Sequence, residues 1–253
     1  MLPVPNKYLA KTEYAQFWDP DYTIPVPNGY FVHNPNFPDR NDAHQLFDFR
    51  VVGRGIDKSV FDLFAQNKIQ LKLTGHDDES LDCLLCNEHG LEFSFEWMML
   101  LRSESTRRSN DEVTIETVDP GSSRDTELCA QVPQLTRSSY HRSSDKRLGG
   151  KIVFAWLNGQ PVGTTGWYTV DSFARFRYVK TLQDYRGKGV GTTMINFVQS
   201  QSNVEKRRGL VMFCDDEKTI SLYEKLGFIR NGFFWKAIRP RSRAKECDHE
   251  RRS

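Results

Sequence analysis

The run Asp184-Tyr-Arg-Gly-Lys-Gly-Val-Gly-Thr192 places Gly187, Gly189 and Gly191 at the head of an amphipathic helix, and no other stretch of the chain restricts its fold as tightly. A helix start carries backbone N–H groups without intrahelical partners, and its aligned peptides add partial positive charge. The glycines clear side chains from the path by which phosphate oxygens would approach, while Arg186 and Lys188 add charge. Glycines there also suit a helix packed tightly on a strand, so the turn alone leaves both readings open. One short crossover later comes Ser221-Leu-Tyr-Glu-Lys-Leu-Gly-Phe228. Ile220, Tyr223 and Leu226 mark one face of that short helix, and Gly227 ends it.

The glycine spacing narrows the choice of ligand. A dinucleotide fingerprint needs G-x-G-x-x-G after the first strand, whereas this chain has G-x-G-x-G late in its length, which disfavours a nicotinamide cofactor. The nucleotide-triphosphate loop G-x-x-x-x-G-K-[ST] is absent as well.

Around this turn the periodicities alternate. Glu112–Val118 reads as a strand closed by Asp-Pro-Gly, and Lys151–Leu157 and Pro161–Val170 as a hairpin turning at Asn158-Gly159. Phe173–Val179 supplies a further strand. Val190, Met194, Phe197 and Val198 then repeat at helical spacing between Lys188 and about Arg208. Leu210–Cys214 is a short buried strand, and Phe228–Ala237 returns as the last one. The order strand, helix, antiparallel strands, helix, strand, helix, strand describes a mixed α/β sheet of the α+β kind, with a ligand crevice where strands part beside helix starts.

The first half is less distinctive. Residues 1–40 are rich in Pro, Asn and Tyr and predict an extended or looped start. Ser59–Ala65 offers a short helical face, and Leu91–Leu101 is the strongest apolar element before residue 108. The polar stretch 102–110 suits a linker. These features divide the chain into residues 1–108, which are either a degenerate copy of the same plan or a separate domain, 109–240 as the glycine-turn domain, and a charged, frayed tail at 241–253.

At 253 residues with a formal charge of +2, the chain is long enough for a sizeable core and close to charge balance. Its Lys and Arg residues form no sustained motif with stacking aromatics, which argues against nucleic acid as a partner. The absence of a signal core or an apolar run of membrane length makes the cytoplasm the expected location, with no membrane partner. Cys83-Leu-Leu-Cys86 with His89 has the look of half a zinc site, but no second pair follows, and His44, His76 and His89 are dispersed, so no metal is expected. Composition leaves monomer and homodimer equally open.

The region from Glu112 to Lys236 resembles the GNAT superfamily of acyl-coenzyme A-dependent N-acyltransferases. Val179-Lys-Thr181 followed by Arg186-Gly-Lys-Gly189-Val-Gly191 is similar to the family's V-x-T strand end and R-x-x-G-x-G/A turn, and Leu222-Tyr-Glu-Lys-Leu-Gly-Phe228 matches its tyrosine helix without a gap. The resemblance implies a GNAT-like fold, as a tandem if the N-terminal half is a degenerate copy. It implies acetyl-coenzyme A as the acyl donor, with its diphosphate on the turn from Arg186 through Gly187, Lys188, Gly189, Val190, Gly191 and Thr192. The pantetheine arm would pair with backbone at Tyr178, Val179 and Thr181. Asp216 stands where the family often has an Asn that contacts this arm, and the strand Phe173–Val179 lacks the carboxylate that some members use as a base.

The resemblance also makes Tyr223 the candidate acid for the thiolate leaving group; read only from its helix, Tyr223 is a core aromatic. Asp171, Asp215 and Glu96 are available acids for a base, and His141 reads as a surface histidine. Arg175 and Arg177 share a strand face, with Lys151 on a neighbouring strand, and either orient an acidic substrate or form a solvated face. Trp156, Trp167 and Tyr168 either line an acceptor pocket or fill the core. The expected activity is acetyl transfer to an amine of a small molecule or a protein. The alternative is an acyl-coenzyme A sensor or protein-interaction module with reduced chemistry.

Overall fold

The computed structural model describes residues 4–26, 28–50, 56–67, 69–76, 89–102, 107–204 and 207–240. Helix α1 (Asn6–Phe17) leads into strands β1 (Thr23–Val26), β2 (Gly29–His33) and β3 (His44–Phe47), then helix α2 (Lys58–Gln66), β4 (Lys72–His76) and β5 (Glu92–Leu101). The second half runs β6 (Thr114–Val118), α3 (Ser123–Gln131), α4 (Ser139–Arg147), β7 (Lys151–Leu157), β8 (Gln160–Val170) and β9 (Phe173–Thr181). It closes with α5 (Val190–Val204), β10 (Gly209–Cys214), α6 (Glu217–Glu224) and β11 (Ile229–Ile238).

These strands form one sheet in the order β1-β2-β3-β4-β11-β5-β10-β9-β8-β7-β6. Apart from β6, the order is the same read inward from either end. The parallel pair β3 and β4 is bridged by α2 as the parallel pair β9 and β10 is bridged by α5. The hairpin of β1 and β2 answers that of β7 and β8. At the centre the halves cross over. Strand β5 of the first half lies antiparallel to β10, and β11 of the second lies antiparallel to β4. The mixed α/β sheet is thus a tandem plan in which each half lends its last strand to the other.

The exchange explains the apolar run at the end of β5. Met98 and Leu100 pack under α1 with Val211 and Phe234, while Met99 and Leu101 pack on the opposite face against α5 and α6. A strand covered on both faces has no solvent side to alternate with. Helix α2 sits on the same face as α5 and α6, with Val60 and Phe64 against Leu73 and Trp235.

The N-terminal segment departs from the sequence expectation. Residues 6–17 are helical rather than extended. Leu9, Ala10, Tyr14 and Phe17 form its buried side, but the same side carries the buried polar residues Thr12, Glu13 and Gln16, so no clean amphipathic stripe marks it. Two helices, not one, separate β6 from β7. The Ser122 and Ser138 side chains cap them by accepting from Asp125 N and His141 N. The residue before Pro133 and the turn at 149–150 end them without any strong periodic signal.

Cys83, Cys86 and the tail 241–253 lie outside the described residues. His89 rests on Phe61 at 4.9 Å, and His44 lies 3.0 Å from His33 between their Nδ1 atoms. No helix among the described residues is long and apolar enough to cross a membrane.

Candidate active site

Strands β9 and β10 pair only from Phe173↔Gly209 to Arg175↔Val211, and then part. A register shift against β8 between Thr164 and Gly166 falls at the same level, and Tyr178 there has φ of 56°. This bulge bends β9 away from β10 and breaks its alternation. Arg175, Arg177 and Tyr178 consequently all line one pocket on the α1 face.

On the outer side of the parting lies a cleft of about 600 Å³ lined by Val179, Thr181, Arg186, Gly187, Gly189 and the first turn of α5. Gly187 and Gly189 hold φ of 77° and 78°, a region that costs side-chain-bearing residues energy. A Cβ on Gly187 would meet no atom within 4 Å, so packing does not demand that glycine; the backbone turn and the open cleft do. Asn110 latches the turn, donating from Nδ2 to Lys188 O and from its backbone N–H to Thr193 Oγ1, both at 2.9 Å. Arg107 and Lys218 add cations to the cleft. The donor set is thus main-chain amides at a helix start ringed by positive side chains, which fits a diphosphate.

The second pocket, of about 330 Å³, lies between the sheet and α1. Val179, Thr219 and Tyr223 line both cavities, so the two share a wall that contains the Tyr223 ring. Tyr223 is 4% exposed and packs edge-on against Phe228 at 5.3 Å. Burial, with Cys214 adding to it, pushes its phenol above the ordinary value, so it holds its proton at neutral pH.

Ionised pairs line the inner pocket. Glu13 accepts from Arg175 Nε at 2.8 Å and Lys236 Nζ lies 2.7 Å from Glu96 Oε1. Lys72 bonds Asp42. Burial is the largest influence on Glu13 and opposes its charge, yet Arg175, Arg177 and Lys236 together hold its carboxyl below the ordinary range. For Glu96 burial prevails and the carboxyl is raised, with Lys236 opposing. The Lys236 ammonium is raised as well: its own burial works against the charge, but Glu96 outweighs it.

The sequence candidates distribute as follows. Tyr178 and Val179 border the inner pocket; Thr181, Arg186, Gly187, Gly189, Val190, Gly191 and Thr192 border the outer cleft. Lys188 turns over the Tyr185 ring, 4.9 Å from its centroid, and the Asp216 carboxylate caps α6 by accepting from Thr219 N at 2.8 Å. Of the three candidate bases, Glu96 lines the inner pocket, whereas Asp171 is an exposed turn residue paired with Lys11. Asp215 is exposed beyond the end of β10.

His141 is 8% exposed, not on the surface, because α4 folds it onto Arg177 and Tyr178. Lys151 lies on β7, two strands from β9, and pairs with Asp119. Trp167 and Tyr168 belong to the core, the latter donating to Thr12 O at 2.7 Å, and Trp156 packs beside Phe154. Sequence reading missed Glu13, Asp42 and Lys72, all from the first half. A charged residue inside the one buried face of α1 was the only signal available for Glu13.

Residues 149–230 match the family model described as the acetyltransferase (GNAT) domain. That segment, from the turn before β7 to the start of β11, is similar to a GNAT domain. No curated protein sequence matches it. Among solved structures, a GCN5-related N-acetyltransferase from Kribbella flavida superimposes with a TM-score of 0.69 at 16% identity, over 92% of this chain and 95% of that one. A GCN5-related N-acetyltransferase from Sphaerobacter thermophilus gives 0.55 at 16% identity over 93% of each chain. A tandem GNAT protein from the clavulanic acid biosynthesis pathway gives 0.50 at 15% identity, over 72% of this chain and 68% of its own. At such identities the likeness is one of fold, and it agrees with the doubled sheet around residues 149–230.

Proposed function

We propose that the protein transfers an acetyl group from acetyl-coenzyme A to an amine of a small molecule held in the inner pocket. One observation carries the reading: the outer cleft and the inner pocket share Val179, Thr219 and Tyr223 as lining residues, where β9 and β10 part. A two-substrate transfer needs such a junction, because its donor and acceptor must arrive from different sides at one reacting carbon. The glycine turn and Arg186 would hold the diphosphate, with Lys188 and Thr192 at its margins. Backbone from Tyr178 to Thr181 would lie along the pantetheine arm, and Asp216 would act on that arm only through the α6 start it caps. The bound coenzyme would supply an activated thioester.

The protein's own residues supply the proton steps. As the acceptor nitrogen bonds to the carbonyl carbon and the C–S bond breaks, Glu96 takes the proton that nitrogen sheds. Tyr223 gives its hydroxyl proton to the departing sulfur. A carboxyl raised by burial is a better base for an ammonium than an ordinary one, since base strength follows pKa. In this reading residues 109–240 hold the coenzyme, and residues 1–108 build the acceptor side through Glu13, Asp42, Lys72 and Glu96. A pocket of about 330 Å³ favours a small amine over a protein side chain.

The reading is tested by following free thiol release from acetyl-coenzyme A across a panel of small amines, with coenzyme binding measured in parallel. Amine-dependent release supports it. Tight coenzyme binding with no release for any amine returns the protein to the class of acyl-coenzyme A sensors.

A further inference from the structure

The carboxylates around the inner pocket do not match its cations. Glu13 is taken by Arg175 and Glu96 by Lys236, one for one. Asp42, however, faces both Lys72 and Arg40, and Asp145 faces both Arg137, at 2.8 Å, and Arg177, at 3.4 Å. The second surplus is deeply buried: Arg137 is 8% exposed, Arg177 5% and Asp145 2%. Arg137 Nε and Nη2 and Arg177 Nη1 have no hydrogen-bond acceptor among the described residues. His141 does not relieve them. Its two ring nitrogens are faced by Arg177 Nη2 at 2.9 Å and Arg40 Nη2 at 3.0 Å, but a neutral imidazole accepts at only one. Burial and the neighbouring Arg177 hold it neutral, near a pKa of about 3.

Two buried arginines that share one carboxylate leave a net positive charge, which favours an anion bound close by. Of this cluster, Arg177 and Tyr178 line the inner pocket, and Glu96 lines it too. We infer that the acceptor is an amino acid-like molecule, an amine that also carries a carboxylate, with the carboxylate bound at Arg177 and Tyr178 and the amine at Glu96. This rests on the acyl-transfer reading and narrows its substrate class. A single surplus charge at Asp145 matches a monoanion, and about 330 Å³ leaves room for a small molecule only.

The test compares matched acceptors in the wild-type protein by initial rates of thiol release: β-alanine, its amide, n-propylamine and 2-aminoethyl phosphate. β-Alanine is expected to exceed the amide and propylamine at least tenfold in kcat/KM, and that ratio is expected to collapse toward one in R177Q. Equal or better turnover of the uncharged amines overturns the inference while leaving acyl transfer intact. A tenfold preference for the phosphate overturns the carboxylate assignment. If no amine is turned over, calorimetry with N-acetyl-β-alanine and N-propylacetamide in the presence of coenzyme A decides separately. Tighter binding of the carboxylate upholds the anion site, and equal binding removes it.

Discussion

Glu96 and Lys236 form a 2.7 Å ion pair between strands contributed by opposite halves of the chain. Because β5 and β11 are the exchanged strands, the pair exists only when both halves have folded into the one sheet. It also fixes the protonation of the residue assigned as base. Burial raises the Glu96 carboxyl and Lys236 is the main influence pulling it back, so removing the lysine charge leaves only the weaker opposition of Arg175.

The pH profile of kcat/KM should therefore move with Lys236. With Glu96 as the proposed base, the wild-type acid limb should report its ionisation, and in Lys236→Met that limb should shift to higher pH, because more alkaline conditions are then needed to ionise the carboxyl. Glu96→Gln should lower kcat by about 100-fold or more, the usual range for a lost general base. An unmoved acid limb in Lys236→Met, with the fold intact, would assign the base elsewhere.

Tyr223→Phe removes one hydroxyl from a buried ring and leaves its packing on Phe228. Coenzyme A affinity should stay within about twofold by calorimetry, while turnover with a good acceptor falls by about 10- to 100-fold. Equal turnover would leave Tyr223 as a wall between the two cavities and no more.

The part of this site that was legible in the sequence is the part made of main chain. A left-handed turn can be read from Gly187 and Gly189 because glycine is required by backbone geometry, which is local. The strands from β6 to β11 were legible for a similar reason, since period-two patterning and the Asn158-Gly159 turn depend on near neighbours. The inner pocket was legible only in part, through Arg175 and Arg177 on one strand face and Glu96 as an available acid. Glu13 sits in a helix whose polar face is buried, and Glu96 becomes a pocket residue only because β5 is inserted beside β10 and β11. The doubling of the sheet, which the sequence left as one of two alternatives, is carried by topology and not by repeated residues.

The two left-handed glycines should differ in their tolerance of a methyl group. Gly187→Ala meets open space and should cost about 1 kcal/mol of stability for its positive φ. Gly189→Ala carries the same strain and also brings its Cβ to 3.0 Å from Asn110 Cβ, so it should lose more, through the latch on Lys188. Urea unfolding midpoints check the order, and coenzyme binding should weaken in both. Equal stability losses would mean that Asn110 gives way freely.

Asp42 predicts the behaviour of the inner wall in acid. Burial is its largest influence and would raise the carboxyl, but Lys72 overrides it and holds the group down at about 2. A carboxylate depressed in the folded state contributes stability that is fully present above its unfolded value, near 3.8, and is lost as pH falls toward the folded one. Wild type should thus lose stability between about pH 4 and pH 2 in part through this group. Asp42→Asn should be less stable at pH 7 but show a flatter decline over that window, read from urea midpoints at matched ionic strength.

The exchanged strands make a claim about cooperativity. Leu100 on β5 is fully buried beneath α1 beside Val211 and Phe234, although it belongs to the first half by sequence. Two independently folding halves would let Leu100→Ala destabilise only residues 1–108. Strand exchange instead removes a contact common to both sheet halves, so the loss of about 2–5 kcal/mol should appear in one transition. Tryptophan fluorescence and far-ultraviolet circular dichroism should then report the same urea midpoint in wild type and in the variant. Separate midpoints, with the coenzyme cleft surviving after the first, would show that the halves hold together less firmly than their crossed strands require.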